Sequence, residues 1–358
     1  MGIIEMEKKH ILIVDDTSSN IDTLLAALGD KYDLRVAIDG ETALQALQQE
    51  PLPDLILLDI MMPGMDGYEV CQHLKSSVRT RGIGIIFLTA LAESADQEKG
   101  LNLGAEDYII KPFDPAIVRA RVRTQLELKG YRDHLEGEVA LRTEELAHAQ
   151  ESTIASMSIM AEFRDPETGG HIQRTKAYVR ALAAELSKLN SQLISEPMQN
   201  MLYQAAPLHD IGKVAIPDAI LLKPARLTAE EFSIMEKHTL YGSEAIRRTE
   251  TIHGRNELLR VAAEIAEFHH EKWDGSGYPH GRKGKAIPIC ARLMTIADVY
   301  DALISKRPYK EALNHEQAVK TILEGDGYTH PDHFDPQVLG CFQNIHQQFH
   351  TIALKFDD

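Results

Sequence analysis

Residues 10–16 read HILIVDD and residues 54–59 read DLILLD. Each is a short run of Ile, Leu and Val closing on aspartate, the pattern of a strand covered on both faces of a parallel sheet with an acid at its carboxyl end. Three more runs are of the same kind: LRVAI (34–38), GIIFL (84–88) and DYII (107–110). Amphipathic stretches separate them, such as NIDTLLAAL (20–28), with Thr17, Ser18 and Ser19 as cap candidates at its start. Such alternation builds βα units. It predicts a doubly wound α/β domain with a fully buried, five-stranded parallel sheet over residues 1–127.

The chain of 358 residues suffices for two or three domains at roughly 100 to 200 residues each. Its 38 basic and 54 acidic side chains leave a formal charge of −16. That argues against a general nucleic-acid surface, which needs clustered Lys and Arg, but leaves room for a local basic pocket. Cys71, Cys290 and Cys341 are far apart and form no CxxC pair, so neither a disulfide framework nor a thiolate zinc site is expected. The opening MGIIEMEKKH has no apolar core ahead of a cleavage site, and no apolar run nears the roughly 18 residues of a membrane span. A cytoplasmic protein without membrane insertion is expected.

After Pro115 and up to Ala161 there is no proline, and Gly130 and Gly137 are the only glycines. Leu, Glu, Arg and Ala dominate, which predicts a long helix, with residues 128–155 as the linker. A heptad frame places Leu128, Leu135, Arg142 and Ala149 at one seam position and Arg132, Val139, Leu146 and Thr153 at the other. Two arginines weaken the seam, so a parallel coiled-coil dimer and a solvated connector both stay open. Beyond it the pattern is helical throughout, as in RTKAYVRALAAELSKL and ELLRVAAEIAEFHH, and predicts an all-α domain over residues 156–358.

Asp15 and Asp16 follow the first strand and Asp59 the third, the place where open α/β sheets bind ligands. Neighbouring carboxylates repel unless a cation is shared, and an oxygen-only cluster suits Mg²⁺. A metal beside Asp59 would make it a phosphoryl acceptor. Thr89 and Lys111 end two further strands and offer a hydroxyl and an ammonium to phosphoryl oxygens.

These residues, in the strings ILIVDD, LLDIMMPGMDGYE, FLTA and DYIIKPF, resemble the flavodoxin-like receiver domain of two-component response regulators over about residues 8–127. The resemblance implies phosphorylation of Asp59 by a sensor histidine kinase. It implies Mg²⁺ held by Asp15, Asp16, Asp59 and the Met61 carbonyl. It also implies phosphoryl contacts from Thr89 and Lys111, a switch role for Tyr108, and a cis bond between Lys111 and Pro112.

Of 16 histidines, 12 lie from His171 onward. His253, His280, His315, His330, His333, His346 and His350 are read as structural. Among the rest, Glu167 and His171 are four apart and can share a helix face. His209 and Asp210 are adjacent, as are His269 and His270, while His238 and Asp298 lie in helical sequence. Nitrogen and carboxylate donors in this ratio suit iron, manganese or zinc better than Mg²⁺ or Ca²⁺. Adjacent helical side chains point roughly 100° apart, so a doublet serves two neighbouring metals, or one Asp bridges both. A site of two or more metals is expected, able to hold hydroxide at neutral pH against a phosphorus atom. Lys213 lies one turn after His209 if the helix continues, and Arg307 and Lys310 lie nine and twelve residues after Asp298. All three are candidates to bind phosphate.

RDPETGGH, LHDIGK, KHTLYG, HHEKWDGSGYP, IADVYDAL, SKRPYK and HFDP resemble the HD-GYP domain, the HD-superfamily phosphodiesterase of cyclic di-GMP, over about residues 150–345. The resemblance implies a metal set of His171, His209, Asp210 and Asp298, with Asp210 bridging to a neighbouring metal held by His238, His269 and His270. Glu167 matches the ligand of members with a third metal. Lys213, Arg307, Lys310 and Tyr278 match substrate contacts. Ala215 and Ala225 stand where glycines are common and Arg282 where an apolar residue is common.

The resulting expectation is a homodimeric response regulator that hydrolyses cyclic di-GMP to linear pGpG, and onward to GMP, using His209, Asp210 and Lys213 at two or three iron or manganese ions. The alternative is a catalytically weak module that binds cyclic di-GMP or a protein partner. A third reading, another nucleotide as substrate, is disfavoured by the intact GYP loop. No DNA-binding segment is present.

Overall fold

Five parallel strands, β1 (His10–Val14), β2 (Asp33–Ala37), β3 (Leu55–Asp59), β4 (Gly84–Thr89) and β5 (Asp107–Ile110), pair in the order β2-β1-β3-β4-β5. The computed structural model describes residues 8–90, 100, 102–162, 170–306 and 311–356. The chain divides into two compact units, Met1–Glu144 and Glu145–Asp358.

The strand order reverses at β1 and β3, where a doubly wound sheet opens its crevice. Val14 pairs with Leu58, so Asp15 and Asp59 stand level with each other at that switch point. Strand β3 begins one residue after Asp54 and takes in Asp59; the Asp54 carboxylate accepts the His10 N–H at 3.0 Å. Only β3 and β4 are buried along their whole length. Val36 on β2 and Ile110 on β5 are 42% and 44% exposed, because an edge strand has one neighbour and lies at the rim of its helical cover.

Helices α1 (Ser18–Leu28), α2 (Gly40–Ala46) and α3 (Gly67–Ser76) flank the strands. Asp39 and Asp66 close reciprocal capping boxes on α2 and α3. Helix α1 starts differently from the expected Ser/Thr cap. Thr17 sits at the cap position but its hydroxyl donates to Asp16, while Asp15 Oδ1 accepts the Thr17 N–H and the Asn20 amide, each at 2.9 Å. The start of α1 is thus tied to the acid pocket.

One helix of 48 residues, α4 (Pro115–Glu162), follows. Val118, Val122 and Leu126 bury its first turns in the N-terminal core, and Ile154 near its end packs on the core of the second unit. Between these, Leu128, Tyr131, Leu135, Val139 and Leu146 are exposed.

The second unit is helical, with no strand among the described residues: α5 (Gly170–Leu189), α6 (Glu196–Ala205), α7 (Asp218–Leu221), α8 (Ala229–Met235), α9 (His238–His253), α10 (Glu257–Phe268), α11 (Ile289–Ile304), α12 (His315–Glu324) and α13 (Pro336–Lys355). Ser195, Asn256, Asn314 and Asp335 cap four of them. Aromatic rings fill the core. Tyr178 stacks on Phe349 at 4.3 Å, and Tyr300 meets both edge-on at 5.3 and 5.2 Å. No helix among the described residues is long and apolar enough to cross a membrane.

Phe349 is fully buried in that stack, so Phe349→Ala is expected to destabilise the second unit by about 3–5 kcal/mol through lost transfer energy and a residual cavity. A lowered urea midpoint for its unfolding transition checks this.

Candidate metal centre

Helix ends assemble the centre. His171 is the second residue of α5, His238 the first of α9, and His269 and His270 follow the last residue of α10. Asp298 lies within α11, and His209 and Asp210 sit between two 3₁₀ turns, Ala206–Leu208 and Ile211–Ala215. The helical frame expected around the two doublets does not hold, because the backbone leaves the α conformation at Asp210 (φ −104, ψ 9) and α10 ends before His269. Gly212 makes the approach to α9 possible. A Cβ there would lie 1.9 Å from the His238 carbonyl oxygen and 2.5 Å from the Gly242 nitrogen.

Two groups of side chains result, each with its donor atoms within 4.8 Å of one another: His171, His209 and Asp210, and Asp210, His238, His269 and His270. Asp210 belongs to both. Its Oδ2 is 3.3 Å from His209 Nε2, and its Oδ1 is 3.2 and 3.6 Å from His238 and His269 Nε2. His171 Nε2 is 3.3 Å from His209 Nε2 and 4.0 Å from Asp298 Oδ1.

The Nδ1 atoms explain why so many Nε2 atoms face inward. His209, His238 and His269 hydrogen-bond through Nδ1 to the carbonyls of Ala206, Met235 and Ile265 at 3.0, 2.8 and 3.0 Å. His171 Nδ1 meets Asp301 Oδ2 at 2.8 Å. A partner on Nδ1 fixes the ring and leaves Nε2 as the ligand atom.

Metal fits this donor set on a specific observation. Asp210 Oδ1, His238 Nε2 and His269 Nε2 are buried, face one another, and have no partner in hydrogen-bond geometry. Orphaned buried groups are costly unless something absent from the protein chain satisfies them. Charge is consistent with that. Burial opposes ionisation of Asp210, but Lys213, with Nζ 2.8 Å from Oδ2, and His209 hold its carboxyl well below the usual carboxylate range. Burial, joined by the charge of neighbouring imidazoles, pushes His270 well below the ordinary histidine value, and burial also lowers His269 despite Asp210, whereas His209, buried as it is, is raised by the Asp210 and Asp298 carboxylates. Neutral imidazoles and an ionised carboxylate are the ligating forms.

A cleft of about 540 Å³ opens on the centre. Lys213, Lys223 and Arg226 bring positive charge to it, and Phe232 and Tyr278 form an aromatic wall. Tyr278 lies over His270 with ring centroids 4.7 Å apart and is edge-on to Phe232 at 5.9 Å.

In the N-terminal unit Asp15, Asp16 and Asp59 cluster at the switch point. Lys111 Nζ stands 2.8 Å from both Asp15 and Asp59. Burial raises Asp59 above the ordinary carboxylate value, with the Asp15 charge adding and Lys111 opposing. Three carboxylates against one ammonium leave net negative charge, which suits a divalent cation. Thr89 is buried at the end of β4, Met61 is exposed with its N–H 3.4 Å from Asp59 Oδ1, and Arg121 lies over the Tyr108 ring. The Lys111-Pro112 bond is cis.

Residues 11–123 match the family model described as response regulator receiver domain, and residues 155–338 the one described as HD domain. The chain belongs to the response regulators that carry an HD domain. It is 45% identical to a probable cyclic di-GMP phosphodiesterase of Vibrio cholerae, over 100% of this chain and 82% of that one. Against the cyclic di-GMP phosphodiesterase response regulator RpfG of Xanthomonas campestris pv. campestris, identity is 34% over 97% of this chain and 90% of that one. The 3'3'-cGAMP-specific phosphodiesterase 2 of Vibrio cholerae is 38% identical over 80% of this chain and 51% of its own length.

In this HD-domain response regulator Glu167, Arg307 and Lys310 lie outside the described residues. Lys213 reaches the centre through a 3₁₀ turn rather than an α-helical one, because the helix does not continue. Ala225 borders the cleft, and Arg282 packs its guanidinium over Phe268 at 4.1 Å, which gives a polar residue an apolar place. Sequence reasoning missed Asp301 and Arg174. Asp301 is 1% exposed and accepts from Arg174 Nε at 2.7 Å as well as meeting His171. Its position three after Asp298, on the same helix face, was the available signal.

Asp301→Asn is expected to loosen His171 and lower metal affinity by about 10–100-fold while the fold persists. Manganese titration by calorimetry, with circular dichroism as control, measures this.

Proposed function

We propose that the protein is a metal-dependent phosphodiesterase that opens cyclic di-GMP to linear pGpG, with onward cleavage to GMP, under control of phosphorylation at Asp59. The observation that carries this is Asp210 shared between two histidine groups in an open cleft that Lys213, Lys223 and Arg226 also line. Relatives that align along nearly the whole chain and bear cyclic di-GMP phosphodiesterase names support the substrate.

Hydrolysis adds water across one P–O bond, leaving oxygen on phosphorus and a proton on the departing 3′ oxygen. Two or three first-row divalent ions, iron or manganese by the donor set, supply Lewis acidity and a water of lowered pKa when bound. His171, His209, Asp210 and Asp298 would hold one ion and Asp210, His238, His269 and His270 its neighbour, with Glu167 completing a third position. Lys213 stands beside Asp210 and offsets charge that develops on phosphoryl oxygens in the transition state. Arg307 and Lys310 contribute further phosphate contacts. Tyr278 lines the cleft, where a purine can stack against its ring.

In the N-terminal unit Asp15, Asp16, Asp59 and the Met61 carbonyl would hold Mg²⁺, which would offset phosphoryl charge while Asp59 takes the phosphoryl group from a sensor histidine kinase. Lys111 and Thr89 then meet the new phosphoryl oxygens, and Tyr108 follows as the switch aromatic. The signal passes along α4, whose exposed Leu128, Leu135, Val139 and Leu146 recur at the heptad positions of a dimer seam.

Metal-loaded protein incubated with cyclic di-GMP is expected to yield pGpG by chromatography. His209→Ala and Asp210→Ala are each expected to abolish turnover; full activity in both would overturn the site. Competition with 3'3'-cGAMP separates that substrate, named for one relative. Beryllofluoride is expected to change turnover or the mass by light scattering in the wild type and to change neither in Asp59→Ala.

A further inference from the structure

Glu271 follows the His269–His270 doublet, is 1% exposed, and pairs with no side-chain cation among the described residues. A buried carboxylate without a cation is costly, so what satisfies it indicates its role. Its Oε1 accepts the backbone N–H of His280 at 2.8 Å and its Oε2 that of Arg282 at 2.9 Å. Both donors lie just past Gly277, Tyr278 and Pro279.

On the other side of that tripeptide the loop meets the same turn. The Tyr278 N–H donates to the His270 carbonyl at 3.3 Å, and a Cβ on Gly277 would lie 2.3 Å from the Lys272 nitrogen and 2.5 Å from the His270 oxygen. His280 is held a second time, by Glu267 at 2.9 Å from its Nε2. The loop that carries Tyr278 is therefore fastened at both ends to the turn that bears two of the candidate metal ligands.

We propose that Glu271 is a positioning residue: its two backbone hydrogen bonds hold Tyr278 over His270 and so build the substrate-facing wall of the cleft. The substrate side of this rests on the cyclic di-GMP reading; the loop side does not.

The test uses Glu271→Gln in the metal-loaded full chain, with Gly277→Ala as a second way to lift the loop. Trp273 is the single tryptophan, and its backbone N–H holds the start of the loop to the His333 carbonyl at 2.8 Å, so its fluorescence reports loop order. In Glu271→Gln the KM for cyclic di-GMP is expected to rise about tenfold, the scale of one lost charge-assisted hydrogen bond. Acrylamide quenching of Trp273 is expected to increase. Metal content and turnover of bis(p-nitrophenyl) phosphate, too small to need the Tyr278 wall, are expected to stay unchanged. Unchanged KM and quenching overturn the proposal. So does parallel loss of metal and of both activities, which makes Glu271 a support of the metal turn alone. If the wild type opens no cyclic di-GMP, the substrate reading falls, and the quenching result by itself decides the role of Glu271.

Discussion

The Asp210 carboxylate, standing between His209 on one oxygen and His238 and His269 on the other, is the point on which the candidate site of the second unit depends. The 3₁₀ segment after His209, the start of α9 and the end of α10 converge on it. Such convergence is unfavourable without compensation, because buried imidazole nitrogens and a carboxylate are taken from water. Anchoring each Nδ1 to a carbonyl of its own chain segment fixes the orientation of the rings before any ligand arrives. His171 is fixed from farther away, through Asp301 and Arg174.

The receiver unit solves a related problem with backbone topology alone. The register of β1 on β3 sets Asp15 level with Asp59, and Lys111 after β5 reaches both. No side-chain network is needed to bring them together, because parallel strands deliver their carboxyl ends to one edge of the sheet. The two sites differ accordingly: one is assembled by a sheet, the other by the termini of helices far apart in sequence. In a chain of net charge −16, Lys213, Lys223 and Arg226 are gathered around the HD cleft, where Lys213 pairs with Asp210 and Lys223 with Glu231.

Much of this was legible beforehand. Strands with continuous Ile, Leu and Val runs were readable because burial on both faces leaves one composition, and the long helix because proline is missing from its interior and Leu, Glu, Arg and Ala dominate it. What eluded reading was local backbone form. The His209–Asp210 doublet looked helical, yet the backbone turns out of the α conformation at Asp210 so that Gly212 can press against α9. Thr17, Ser18 and Ser19 looked like caps, yet the acid pocket takes the first turn of α1 for its own hydrogen bonds. Asp301 went unread, since its role comes from Arg174 more than a hundred residues away.

Residue identity and local pattern therefore determined the α/β and all-α classes, the strand-end acids and the histidine and aspartate types, because these follow from burial periodicity and donor chemistry along a few residues. Tertiary structure alone decided which nitrogen of His171, His209, His238 and His269 faces inward, and that Glu271 and Asp301 hold the surrounding elements. Those depend on hydrogen bonds between segments distant in the chain, and no local spacing encodes them.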